Sequence, residues 1–410
     1  MHGISRKAFL LEYDRPKGKK IMKSTLKRTW AEIDLDALEY NYKKIREHIG
    51  KNVKFLGVVK ADAYGHGAIM VSERLQSLGA DYLAVSSIDE AMELRYNGIT
   101  MPILILGHTP REQVDRLICF NITQAVTCEA KAVEYSEEAR KYGGTLKIHI
   151  KVDTGMSRLG YICEGDYFEH GVDGICYACG LPGLEAEGIF THFAVSDEPD
   201  ETSKEYTLHQ LELFKNVYKA VEKKMCKEFK LHHCANTGAT SDYPEAHLDM
   251  VRPGLLLYGY GEFAKKLSLR PVMTMKSTIS TIKIYPEGTK ISYGGLYTTK
   301  KQERLGVIPY GYADGFLRCL SNRYSIMTQN GAAAVRGRIC MDMCMIDLTD
   351  KPDVGVGDEV EIFGPHNPIE DMAETAGTIP YEIVCAVSKR VPRHYISENR
   401  VIHSELMLRM

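Results

Sequence analysis

The run Val58-Val59-Lys60-Ala61-Asp62-Ala63-Tyr64-Gly65-His66-Gly67 holds the residues best suited to chemistry. Lys60 closes an apolar stretch of strand length. At the C-terminal end of a barrel strand, a lysine would face the site that such a fold builds there. Desolvation lowers a lysine's pKa and frees its lone pair for attack on an aldehyde. The glycines beyond it and the Tyr64 hydroxyl allow close approach to a phosphate. A snorkelling surface lysine fits the same residues, and the run alone does not rank the two. Cys176-Tyr177-Ala178-Cys179 is a CxxC, a weak zinc or redox signal. A four-ligand zinc site wants a second matching pair, and Cys340…Cys344 has the wrong gap. Two unrelated thiols are the simpler reading, and no metal is expected.

The elements that must position Lys60 can be read from the pattern around it. The chain has 410 residues, beyond the usual size of one hydrophobic core, so two domains are expected. With 44% hydrophobic and 26% charged residues it is not a disordered, collagenous or coiled-coil chain. A net charge of −2 lacks the basic excess of a nucleic-acid binder. No run of 18 apolar residues exists, so no membrane span is expected. The start lacks a secretory core and cleavage site, and the eleven cysteines read as reduced thiols in the cytoplasm. Residues 1–28 form a basic N-terminal extension, nine Lys/Arg against Glu12 and Asp14, which reads as a solvated tail or linker.

From Trp30 to about Arg270, strand-length apolar runs alternate with helical stretches. The runs are Val53–Val59, Tyr82–Val85, Ile103–Leu106, Leu146–Val152, Leu184–Phe190 and Leu255–Tyr258. Ser87-Ile88-Asp89-Glu90 and Thr202-Ser203-Lys204-Glu205 are capping boxes that open helices, and Glu129–Tyr142 is a third helix. About eight such units in ~240 residues fit a (β/α)8 barrel over 29–270, with a doubly wound open sheet as the alternative. After Pro271 short strands follow closely: Thr278–Ile284, Lys290–Tyr293, Arg304–Ile308, Tyr324–Met327, Ala332–Val335, Met343–Ile346 and Glu359–Phe363. Asn330-Gly331 signals a hairpin, and only Ile369–Ala376 reads helical. Residues 271–410 are therefore expected to form a second, mostly β domain.

The Lys60 run closely resembles the pyridoxal-phosphate motif of the alanine racemase family. Further family-like motifs follow in order: Trp30-Ala31-Glu32-Ile33-Asp34-Leu35, Lys151-Val152-Asp153-Thr154-Gly155-Met156-Ser157-Arg158-Leu159-Gly160 and Thr191-His192-Phe193. Then come Cys234-Ala235-Asn236-Thr237, Met250-Val251-Arg252-Pro253-Gly254, Ser292-Tyr293-Gly294, Gly311-Tyr312-Ala313-Asp314-Gly315 and Cys340-Met341-Asp342. The resemblance spans residues 29 to about 400. It implies an N-terminal (β/α)8 barrel, a C-terminal β domain and racemisation of alanine, supplying D-alanine for cell-wall precursors.

The resemblance also implies roles. Lys60 would bind the cofactor's aldehyde and serve as one base. Tyr293, supplied by the partner of a homodimer, would be the second base on the opposite face. A free tyrosine has pKa about 10, so its neighbours must favour the phenolate or relay its proton. His192 matches the position that touches it. Arg252 would face the pyridine nitrogen, donating without being able to accept, and His233 would hold Arg252. Phosphate donors would be Tyr64, Thr237, the amides of Gly254 and Leu255, and Tyr381, with Asn236 in the same motif. Thr237 stands where serine is common and keeps the hydroxyl. Arg158 and the Met341 N–H would meet the substrate carboxylate, and Asp342 would lie near the second base. Lys151 fits a lysine often carried as a carbamate; a lysine in a salt bridge is the alternative. Ser157 replaces a usual glycine in a loop where φ > 0 would strain serine.

Rival readings are a racemase for serine or for several amino acids, one module of a larger resistance-type racemase, and a non-catalytic pyridoxal-phosphate carrier. One hydroxyl or methylene shifts selectivity by only about 1–3 kcal/mol in an apolar pocket, so the motifs do not separate serine from alanine. A decarboxylase would want an acid at the pyridine nitrogen, where Arg252 stands. A carrier would end after the barrel and lack Tyr293.

Overall fold

The computed structural model describes residues 28–406. Of the basic extension, residues 1–27 lie outside the described residues. Arg28 is not solvated tail: it pairs with Asp314 at 3.2 Å.

The first strand, β1 (Thr29–Asp34), runs into a helix over Leu35–Ile49 whose N-cap is Asp34; the carboxylate accepts the N–H groups of Asp36 and Ala37. The barrel strands follow: β2 (Lys54–Val58), β3 (Tyr82–Val85), β4 (Ile103–Ile105), β5 (Thr123–Val126), β6 (Leu146–Asp153) with the short β7 (Tyr161–Ile162) beside it, β8 (Leu184–Phe190), β9 (Leu231–His233) and β10 (Met250–Val251). They pair in parallel in the order β10-β2-β3-β4-β5-β6-β8-β9. The ring closes between β9 and β10, where Asp249 N–H reaches His232 O at 3.1 Å and Arg252 N–H reaches Ala235 O at 3.0 Å. Helices between the strands pack their apolar faces on this sheet, which is a (β/α)8 barrel rather than an open sheet.

The β domain holds β11 (Met273–Thr278), β12 (Thr281–Tyr285), β13 (Lys290–Ile291), β14 (Tyr297–Thr298), β15 (Glu303–Ile308), β16 (Ser325–Thr328), β17 (Gly331–Ala334), β18 (Cys344–Asp347), β19 (Glu359–Phe363), β20 (Arg393–Ser397) and β21 (Arg400–Glu405). They form a seven-stranded sheet, β17-β16-β19-β11-β1-β20-β21, a three-stranded sheet, β12-β15-β18, and the hairpin β13-β14.

Several elements differ from the sequence reading. β1 pairs antiparallel with β11 and parallel with β20, so residues 29–34 belong to the second sheet and not to the barrel. Its apolar alternation suits either sheet; pairing partners decide. Leu255–Tyr258 is a buried 3-10 helix and not a strand. A four-residue apolar run carries no period that separates a strand from a buried turn. The stretch Thr278–Ile284 is broken: the chain leaves one sheet at Thr278 and enters another at Thr281. The Thr202 capping box is displaced, because Asp200 caps the helix Glu201–Met225 by accepting Ser203 N–H. Several elements have no counterpart in the sequence pattern, β5 and the helix Pro380–Ala386 among them. β5 was hidden by its polar Thr123 and Gln124, both buried. The helix Pro380–Ala386, with proline at its first position, is one short amphipathic turn pair.

Candidate active site

Lys60 follows β2 at the barrel's C-terminal rim. The chain then makes a left-handed turn through Ala61 (φ 53°), Asp62 (φ 56°), Ala63 (φ 52°) and Tyr64 (φ 52°). For L-residues this costs roughly 1–2 kcal/mol each, so surrounding bonds must hold it. Glu90 Oε1 accepts Ala61 N–H at 2.7 Å, and Asp62 Oδ1 accepts Ala68 N–H at 2.8 Å. His66 Nδ1 lies 2.8 Å from Ala63 O and 3.0 Å from Tyr64 O. Both partners are carbonyls, so Nδ1 carries the proton. Burial, with Arg158 nearby, holds the Lys60 amine below its ordinary pKa. More of it is neutral and nucleophilic than in a solvated lysine.

Lys60 lines a cavity of about 560 Å³. One end collects hydrogen-bond donors. Thr237 Oγ1 accepts Gly254 N–H at 3.2 Å, and the Tyr381 hydroxyl lies beside Thr237 and the Leu255 amide. The Tyr64 and Tyr381 rings meet edge to face at 5.5 Å. Burial raises both phenols, so they stay neutral donors. A Cβ on Gly254 would sit 2.9 Å from the Tyr64 oxygen, so glycine is what lets the hydroxyl reach this end. Asn236 accepts the Ser196 hydroxyl at 2.6 Å and Ala239 N–H at 3.2 Å, which shapes the turn that presents Thr237. Neutral hydroxyls and amides converging in this way suit a phosphate, and Asp197 lines the same cavity.

Deeper in the barrel Arg252 is held by four bonds. It donates to Thr191 O at 2.8 Å and Cys234 O at 3.0 Å, and meets His233 Nδ1 at 3.0 Å and His192 Nδ1 at 3.2 Å. Arginine only donates, so both Nδ1 atoms accept and each imidazole keeps its proton on Nε2. His233 Nε2–H then donates to His149 Nδ1 at 2.9 Å. Burial, then Arg252, holds His192 and His233 well below the ordinary histidine range. Gly188 leaves the room His149 needs: a Cβ there would lie 2.8 Å from its ring.

Lys151 is buried, and its Nζ donates to Val152 O at 3.0 Å and lies 5.3 Å from the Phe190 ring centre. No described carboxylate lies within ion-pair distance of it; the nearby oxygens of Asp153 are taken by the N–H groups of Gly155, Ser157 and Arg158. The salt-bridge alternative for Lys151 is thus not what the structure shows. Burial, then Arg252, lowers its amine to about 7. Ser157 has φ 55°, the left-handed geometry of the glycine it replaces, stabilised through its Asp153 bond. Arg158 is exposed at the mouth, and its side chain makes no ion pair with a described residue.

The remaining expected residues are not brought to this cavity within one chain. Tyr293 sits on the turn between β13 and β14, 72% exposed, and Met341 is 53% exposed. Neither lines the cavity; of the β domain's expected residues only Tyr381 does. Asp342 forms an ion pair with Arg390 at 2.8 Å. Glu90 was missed as a site residue. It was legible only as a capping-box acid, and its bond to Ala61 depends on which strands are neighbours. In the CxxC helix, burial pushes the Cys179 thiol up to about 12.

The fold and cavity define a two-domain (β/α)8-barrel enzyme with a lysine of lowered pKa between a cluster of hydroxyls and amides and a buried arginine. Residues 33–262 match the alanine racemase N-terminal domain and residues 272–395 the alanine racemase C-terminal domain. The chain is 44% identical to alanine racemase 1 of Clostridium acetobutylicum over 92% of its own length and 97% of that protein. Among solved structures, alanine racemase of Clostridium difficile 630 aligns with TM-score 0.89 at 39% identity, covering 94% of this chain and 100% of that one. Alanine racemase from Bacillus anthracis with bound L-Ala-P aligns with TM-score 0.83 at 32% identity, covering 93% and 98%. The chain belongs to the alanine racemase family.

Proposed function

We propose that this protein interconverts L- and D-alanine using pyridoxal 5'-phosphate held at Lys60, and that it does so as a cytoplasmic homodimer supplying D-alanine for peptidoglycan. The carrying observation is the cavity: a lysine with a lowered pKa, a phosphate-suited cradle and a buried arginine converge in it. Tyr64, Thr237, Tyr381 and the amides of Gly254 and Leu255 would hold the phosphate, and Arg252 would donate to the ring nitrogen. Bound there, the cofactor supplies an aldehyde for covalent capture of the amino acid and a conjugated ring that spreads charge from its α-carbon.

The chain's own groups move the protons. Lys60 Nζ, its pKa lowered by burial, takes or returns the α-proton on one face. Tyr293 of a second copy serves the other face; its exposure leaves it free to enter a neighbour's cavity. His192 supports it, because Arg252 occupies Nδ1 and leaves Nε2–H to donate to the phenol oxygen and favour the phenolate. Arg252 cannot release a proton at neutral pH, so it would leave a bound cofactor's ring nitrogen unprotonated, which would limit side reactions. Arg158 and the Met341 N–H from the second copy bind the substrate carboxylate. Lys151, half neutral near pH 7, adds carbon dioxide to give a carbamate and a proton, and the anion orients Arg158. The division into an extension, a cofactor-binding barrel and a β domain is the frame for this shared site.

The test is racemisation of L-alanine and L-serine by purified protein with added pyridoxal phosphate. Alanine strongly preferred is the expected result. Comparable serine turnover would assign a broader racemase, and turnover of neither would leave a carrier.

A further inference from the structure

Arg393 lies in β20 of the β domain, only 1% exposed. Its guanidinium makes no ion pair with a described residue. Four backbone carbonyls take its donors instead. Nε reaches Gly65 O at 3.2 Å; one terminal nitrogen reaches Ser388 O at 2.6 Å and Val391 O at 2.7 Å; the other reaches Val387 O at 2.8 Å.

These carbonyls come from two places. Gly65 follows Tyr64 in the turn that carries Lys60. Val387, Ser388 and Val391 follow the helix Pro380–Ala386, which carries Tyr381. The same seam is tight elsewhere. A Cβ on Gly65 would fall 2.3 Å from Val384 O, and one on Gly67 would fall 1.8 Å from the Tyr395 hydroxyl. A planar guanidinium is a rigid fork, so bonding both segments fixes their separation. The separation matters because Tyr64 and Tyr381, one on each segment, meet edge to face at the cradle.

We infer that Arg393 is a positioning residue: it sets the Tyr64 hydroxyl against the Tyr381 hydroxyl and so assembles the phosphate end of the cavity across the domain seam. It touches no ligand itself. This rests on the proposed reading of the cradle as a phosphate site. Lysine at 393 keeps a positive charge but lacks the fork. It can hold the Val387–Val391 carbonyls and not Gly65 at once.

The experiment compares pyridoxal phosphate with pyridoxal, which lacks only the phosphate. Both are titrated into cofactor-depleted full-length wild type and Arg393→Lys by absorbance. Wild type is expected to prefer the phosphorylated form strongly. Arg393→Lys should lower that preference about tenfold with pyridoxal affinity little changed, the size of one hydrogen bond to a charged group. Adding Tyr381→Phe should remove most of the effect of Arg393→Lys. A preference unchanged in Arg393→Lys, or equal losses for both ligands, would overturn the inference while leaving the phosphate reading intact. No preference in wild type would overturn the phosphate reading itself, and the inference with it. A second measurement uses wild type alone, should the variant not fold. Pyridoxal phosphate should slow amide exchange over residues 387–391, which do not line the cavity, and pyridoxal should not. Equal protection by both ligands would sink the proposal.

Discussion

Arg252 and Tyr293 sit at opposite extremes of the same chain. Arg252 is 4% exposed and makes four side-chain hydrogen bonds; Tyr293 is 72% exposed, on a two-stranded hairpin. The barrel half of the site is therefore preorganised by one chain. Its charges and tautomers are fixed by burial and by an arginine that can only donate. The β-domain half is displayed outward, with Tyr293 and Met341 on the surface and Asp342 held by Arg390. Under the proposed mechanism, which needs a base on each face of a planar group, this division would let one wall be built from within and the other arrive with a second copy.

The largest effect that tests this contrast is at Lys60. Lys60→Ala should lower alanine racemisation by about 10⁴-fold or more, followed by chiral assay of D-alanine. Tyr293→Phe should lose about 10²–10⁴-fold while binding cofactor normally. Mixing the two inactive variants should restore about a quarter of wild-type activity, since half of the dimers are mixed and each carries one intact site. No recovery after verified subunit exchange would break the two-copy account of the site.

Smaller effects sharpen the buried half. Lys151 has a folded pKa near 7, below its unfolded value. Between those values the unfolded chain holds more protons, so this group's penalty is full below about pH 7 and fades as pH rises toward the unfolded lysine value. In the absence of bicarbonate, Lys151→Met should therefore stabilise the protein by about 1–4 kcal/mol near pH 6 and by less at pH 9 in thermal melts, although activity falls. The opposite trend with pH would mean that Lys151 has a compensating anion.

Glu90→Ala should cost about 1–3 kcal/mol in melting experiments, because Ala61 and Ser86 lose their acceptor. It should also shift Lys60 reactivity toward lower pH, since the carboxylate favours the charged amine. Glu90→Gln keeps an acceptor and should recover most of the stability but not the pH shift. Thr237→Ser should be nearly silent, because the hydroxyl that meets Gly254 is kept; a large loss would show that the methyl group packs the cradle.

The motifs around Lys60, Lys151 and Arg252 carried much of the barrel's site, because each functional group lies within a few residues of a strand end. The same locality explains the sequence reading's failures. Leu255–Tyr258 and Thr123–Val126 are too short for periodicity to separate strand from turn. Asp200 took the cap from Thr202 because both are good caps and the packing of the helix start chose between them.

Residue types and order determined the alternation of strands and helices, the lysine at a strand end, the glycines beside it and the hydroxyls suited to an anion. These depend on local stereochemistry and hydrophobic periodicity. Tertiary structure alone decided that β1 joins the second sheet, that Glu90 caps Ala61, that Arg252 fixes two histidine tautomers, and that Tyr293 stays outside the Lys60 cavity. Each depends on contacts between residues far apart in the chain, and no local pattern encodes which of many compatible partners burial will select.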